Sequence, residues 1–200
     1  MFEFSAAERD YMETVFRTSE SPADSRPLTR DRGGTVFQTA SGLLTMLADR
    51  LLERPQDRDL ASKVLAKAEQ RALAVDDILG LHFVYHQMIR LHNRWKDQFP
   101  DARDVAFAAC HKQIRLAPQA AKAFRQKRPN EPLPVHLGYL LASTMLEKDE
   151  VYEAAMELCK QAKYEGWAGT WPSRIQQLNK KLSESNQAVK SMSPSGMMRV

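Results

Sequence analysis

The segment HFVYHQMIRLH places His82 and His86 four residues apart, with His92 beyond them. On a helix this spacing puts two imidazoles on one face, an arrangement that can hold a metal ion. A metal centre needs a third ligand, and the nearest acids, Asp76 and Asp77, precede the pair without motif spacing. Phe83, Tyr85 and Met88 flank the histidines, so packing at the edge of a core accounts for them and no metal is expected. A second group, Glu147, Asp149, Glu150, Glu153 and Glu157, crowds one turn and the helix after it. Two carboxylates buried side by side could exchange protons with a substrate. At a turn leading into a helix N-terminus, solvated acids that suit the helix dipole explain the same residues. Cys110 and Cys159 each fall on an apolar helical stripe with no second cysteine nearby, which reads as two buried thiols. The RGGT run at Arg32 lacks the strand and the Lys-Ser/Thr ending of a phosphate loop, and no Ser–His–Asp or Cys–His order stands out. The chain is therefore expected to be non-catalytic and to use no cofactor.

Charge offers a different candidate. Between Val105 and Asn130 lie six basic residues and no acid: Lys112, Arg115, Lys122, Arg125, Lys127 and Arg128. On a helix and its continuation they could present a positive face to nucleic acid or to an acidic protein, with Arg26, Arg30 and Arg32 adding to it. Phe107 and Phe124 belong to the apolar stripe, so no base-stacking platform is indicated. Across the whole chain 29 basic residues oppose 25 acidic ones, a net charge of +4, which permits an acidic partner without requiring one.

The elements that position these residues read as helices. The 200 residues, 43% hydrophobic, suit one domain with tails. Two cysteines do not make a disulfide framework. MFEFSAAERDYME has neither the basic start nor the apolar core of a secretory signal. Gly33 to Ala48, the longest uncharged stretch, is too short and polar to span a bilayer, so a cytoplasmic protein with no membrane association is expected. Ser5 and Glu8 form a capping box for a helix to about Arg17. Ser19 to Gly34 is a loop or strap. Apolar residues at three- and four-residue steps predict helices over Val36–Leu52 and from Asp57 or Asp59 to Trp95, with a break near Asp76 and Asp77. Further helices are predicted over Ala102–Leu116, stopped by Pro118, then Gln119–Gln126, two within His136–Trp167, and a last one from Thr170 to about Leu182. Residues 183–200 are polar and read as a disordered tail. No segment alternates with period two, so no sheet is expected. The organisation predicted is an N-terminal helix and loop over 1–34, a helical domain over 35–182, and the tail.

A helix pair is written twice. HLGYLLASTMLEKDEVYEAAMELCKQAKYEGW runs from His136 to Trp167, and a rougher copy runs from about Leu81 to Pro118. Each second helix carries a small residue and a cysteine four positions later, Ala106 with Cys110 and Ala155 with Cys159. Tyr139 to Ala162 resembles a tetratricopeptide repeat: Tyr139 and Leu146 match large slots of the first helix, and Tyr152, Ala155 and Ala162 match slots of the second. Ser143 stands where that motif has glycine, Cys159 where an aromatic is common, and Trp167 where a proline closes the repeat. The copies are 49 positions apart, against about 34 in a regular array. The ending also looks similar to uncharacterised bacterial proteins built on tetratricopeptide-like pairs.

The resemblance implies an all-α fold of antiparallel hairpins stacked as an irregular array, with a groove lined by the first helices that holds a protein or peptide. The groove positions it implies are His86, Arg90 and Arg94 in the rougher copy, and Leu140, Ser143 and Thr144 in the better one. A protein-interaction or assembly module follows as the expectation; the alternative is a nucleic-acid-associated protein using the basic run.

Overall fold

The computed structural model describes residues 4–17, 25–29 and 39–192, with side chains through 187. The fold is all-α: eight helices among the described residues, with one two-stranded sheet. The packing resolves into two compact units, Met1–Phe124 and Arg125–Val200, divided inside the span that the sequence reads as one array.

In the first unit, α1 (Ala6–Phe16) opens with the predicted capping box: the Glu8 amide donates to Ser5 Oγ at 3.1 Å, and the Ser5 amide donates to Glu8 Oε2 at 2.6 Å. The buried Glu13 carboxylate accepts the Leu28 amide at 2.9 Å and the Thr29 hydroxyl at 2.6 Å, pinning the described part of the predicted strap to α1. Arg30 and Arg32 lie outside the described residues. α2 (Ala40–Leu51) is capped by Thr39; the predicted start at Val36 also lies outside them. A 3-10 turn, Pro55–Asp57, leads into α3 (Arg58–Leu73), and α4 (Ile78–Arg94) follows the expected break. Asp76 at the break has φ 50°, and Asp77 caps α4 by accepting the Gly80 amide at 2.8 Å. A Cβ on Gly80 would lie 2.2 Å from the Asp77 carboxylate, so glycine is what lets this cap close. Helices α2, α3 and α4 pack on one another and α1 packs on α2. Leu47, Leu51, Leu65 and Leu91 are buried among them, each worth about 2 kcal/mol of burial.

α5 (Ala102–Lys127) corrects one expectation. It runs unbroken through Pro118, where the sequence predicted a stop and a second helix. Proline removes one helical hydrogen bond and crowds the previous turn, at about 3 kcal/mol. Ala117, Ala120 and Ala121 on both sides of it are fully or almost fully buried, and this burial holds the helix together across the exposed proline.

The second unit contains β1 (Leu133–Val135), α6 (Leu137–Lys148), α7 (Tyr152–Glu165), β2 (Trp167–Ala168) and α8 (Trp171–Met192). α7 packs against both α6 and α8. Ala142, Ala155, Cys159 and Ala162 have no exposed surface. Gly166, at φ 87°, ends α7 in the left-handed conformation and turns the chain into β2. β2 pairs in parallel with β1, Leu133 beside Trp167, where no sheet was expected. Strands of two and three residues are too short to show an alternation. α8 continues to Met192, ten residues past its predicted end, so the region read as a disordered tail is helical up to that point. Elongating an anchored helix adds one hydrogen bond per residue fixed, and polar residues permit it.

Replacing Pro118 by alanine restores the missing bond and removes the ring. Pro118→Ala is expected to stabilise the protein by about 1–3 kcal/mol, read as a raised urea midpoint with unchanged helicity; an unchanged or lowered midpoint contradicts this account of α5.

Candidate partner-binding surfaces

The predicted groove positions of α4 face a neighbouring helix. His86 is half-buried, and Arg90 forms an ion pair with Asp49 of α2. One turn on, Arg94 pairs with Glu53, just past α2, at 3.3 Å. These bridges fix how α4 lies along α2, and being largely solvated they add little energy. Burial holds the His86 imidazole below its usual pKa, with Arg90 acting in the same direction and Asp49 opposing. His82 is deeper, 2% exposed, and burial together with His86 lowers its pKa to about 4. No group of three or more histidines, cysteines or acids among the described residues is placed to hold a metal ion.

In the second unit Ser143 and Thr144 lie against α8 rather than in an open groove. Arg174 is the reason. Its Nε donates to Ser143 Oγ at 3.2 Å, and its Nη2 donates to Thr144 Oγ1 and to Glu147 Oε2, both at 2.9 Å. Lys181 adds a bond to Glu147 Oε1 at 2.7 Å. The Lys181 ammonium, then Arg174, hold the Glu147 carboxyl below its ordinary pKa despite partial burial. Glu147 is thus an ionised clamp between α6 and α8. Of the other acids in that cluster, Glu150 occupies the turn at φ 61° and Glu157 pairs with Lys160 at 3.4 Å. Cys159 is fully buried, which pushes its thiol pKa up and leaves it a packing residue.

Glu165 plays the matching role at the other end of α6. Its carboxylate accepts the Tyr139 hydroxyl at 3.0 Å, the Gln161 amide at 3.1 Å and the Trp167 indole N–H at 2.8 Å. His136 caps α6 by accepting the Tyr139 amide at 3.3 Å, and its ring lies 4.6 Å from that of Trp167. Sequence reasoning missed both Arg174 and Glu165. Arg174 falls in the first turn of the last helix, and nothing in the sequence tells which helix that turn faces.

One stripe of α6 stays open. Leu140 is 39% exposed, with Leu137 and Leu141 half-buried beside it at helical spacing, and Val135 is exposed just before the helix. Since Tyr139, Ala142 and Met145 fill the opposite side, α6 is apolar on both faces.

The basic run divides by role. Lys112 bonds Glu69 at 2.8 Å and lies over the Tyr85 ring, Arg125 donates to the Glu165 carbonyl at 2.6 Å, and Arg128 pairs with Glu131 at 2.9 Å. Arg115, Lys122 and Lys127 are exposed and make no ion pair among the described residues. No helix among the described residues is long and apolar enough to cross a membrane.

Comparison with protein-family models, curated proteins and solved structures finds no match to this chain.

Arg174→Ala should cost about 2–3 kcal/mol, because it strips a largely buried carboxylate and two hydroxyls of one donor. Arg174→Lys should recover less than half, since an ammonium cannot span acceptors laid out for a fork. Thermal melts of the three proteins test this, and full recovery by lysine would show that charge alone matters.

Proposed function

We propose that this chain is a non-catalytic interaction module that holds a protein or peptide segment on the helical surface of its second unit. The open apolar stripe of α6, centred on Leu140, carries this reading. A helix apolar on both faces is ordinarily enclosed by other elements. On the outer face of α6 the apolar residues are instead partly open to solvent, bordered by the charged set Arg174, Glu147 and Lys181. An apolar centre with a polar rim is the usual anatomy of a protein interface. The tetratricopeptide resemblance supports the same surface, since it implies a groove along α6. Of the α6 positions it implies, Leu140 is the one offered most openly, with Thr144 at the edge and Ser143 beneath. Arg174, Glu147 and Glu165 then act as the clamps that keep this surface rigid. The cytoplasm, expected from the sequence, is the setting in which we place it. The nucleic-acid reading draws less support, because three of the six cations are engaged with neighbours within their own units.

The test is affinity capture from the native cell with mass spectrometry, in nuclease-treated lysate, comparing the natural protein with Leu140→Glu. A protein partner that survives nuclease and falls about tenfold or more with Leu140→Glu, at unchanged melting temperature, is the expected result. Capture of nothing above background, or equal capture by both proteins, overturns the reading. Loss of all partners on nuclease treatment would move the function to the basic run.

A further inference from the structure

α4 carries three of the chain's five histidines; of these, His82 sits where α5 meets α4, and His92 lies near the turn that precedes α5. His82 is 2% exposed. Its ring makes edge contacts with Phe83 at 5.5 Å and with Phe124 of α5 at 5.3 Å, and its backbone carbonyl accepts the Gln113 side-chain amide of α5 at 3.0 Å. His92, 7% exposed, lies near the ion pair that joins the start of α3 to the start of α5: Arg58 Nη2 donates to both Asp101 oxygens at 3.0 and 2.9 Å. The Nδ1 atom of His92 and the Nε atom of Arg58 are buried without a hydrogen-bond partner among the described residues.

We propose that His82 and His92 form an acid-sensitive latch, which holds the 102–124 part of α5 on the first unit while both imidazoles are neutral and releases it when they are protonated. A second charge on His92 would lie close to the Arg58 guanidinium, which is itself held over the Phe99 ring at 4.2 Å. A charge on His82 would sit among Phe83 and Phe124, away from water. In both places the remedy is hydration. Over His82 the side chains that keep water out belong to α5, Phe124 and Gln113; near His92 the Asp101 carboxylate ties the turn before α5 to Arg58 of α3.

The charged neighbours decide the sign. His82 meets neutral groups on α5 and His86 on its own helix. His86 meets Arg90 on α4 and Asp49 on α2. His92 meets Arg58 from α3 and Asp101 from the turn before α5. Burial lowers the pKa of all three, to about 4 for His82. A histidine whose folded pKa lies below its unfolded value of 6.5 stabilises the closed form above pH 6.5 and loses that contribution as pH falls toward the folded pKa. The Arg58–Asp101 pair does not mask this, since Asp101 is held below its ordinary pKa, first by its bond to Arg58, and stays ionised across the window.

Amide hydrogen exchange on the full chain at pH 7 and pH 5, corrected for intrinsic rates, tests the latch. The expected result is a rise of about tenfold or more in the opening of the α5 amides between Ala106 and Ala121, with α2 and α3 changing less. The rise should vanish in a His82→Gln, His92→Gln double variant, whose side chains cannot be charged. Unchanged α5 protection at pH 5, or the same rise in the double variant, overturns the proposal. If that variant does not fold, imidazole NMR titration of the natural protein decides: midpoints well below 6.5, accompanied by loss of α5 protection, support the latch, and midpoints near 6.5 with α5 still protected refute it.

Discussion

Close approach of helices through small side chains is the constraint on which both units depend. α3 offers Ala61, Ala68 and Ala72, all without exposed surface, at steps of seven and four residues. α7 offers Ala155, Cys159 and Ala162 in the same way, and Ala142 of α6 is equally enclosed. A stripe of this kind leaves no bulk to separate two helix backbones, so ridges of larger residues on the neighbour can seat in it. Large side chains then fill the rest: Leu47, Leu51 and Leu65 in the first unit, Tyr139, Trp171 and Leu178 in the second.

Close packing sets distances but leaves helices free to slide, and here charges and hydrogen bonds remove that freedom. Each unit uses long side chains as ties between elements that the alanines have already brought near. Arg174 and Lys181 bind α8 to the last turn of α6 through Glu147. Glu165 collects donors from α6, α7 and β2. In the first unit Glu13 pins the 25–29 segment, Tyr11 donates to Asp57 at 2.8 Å, and Lys63 holds Glu8 at 2.8 Å. Such ties add modest net stability and considerable definition. Among the outward-facing features of the described residues are a short apolar stripe on α6 and three cations of α5.

The sequence made local signals legible and long-range ones obscure. The Ser5–Glu8 box, the break at Asp76 and Asp77 and the buried faces of Ala155 and Ala162 follow from neighbours a few residues apart, and all are present. Pro118 misled because its penalty is local while the burial of Ala117, Ala120 and Ala121 is tertiary. The end of α8 misleads because its polar composition matches that of a disordered tail, whereas an anchored helix can simply continue. The analogy with a repeat places Ser143 and Thr144 outward, and only the position of Arg174, some thirty residues later, shows that Ser143 is buried and Thr144 half-covered against α8. Of the groove positions on α6, Leu140 is the one that stays outward.

The most direct measurement is the urea unfolding of the second unit with Ala155 and Ala162 each enlarged to leucine, followed by the emission of Trp167 and Trp171 in a Trp95→Phe background. If these alanines are the seats of neighbouring helices, each substitution lowers stability by about 1–3 kcal/mol through overpacking. The pair together should abolish the cooperative transition. Leucine variants that unfold at the same urea concentration as their parent would mean that the helices do not depend on close approach at these positions, and would contradict the account.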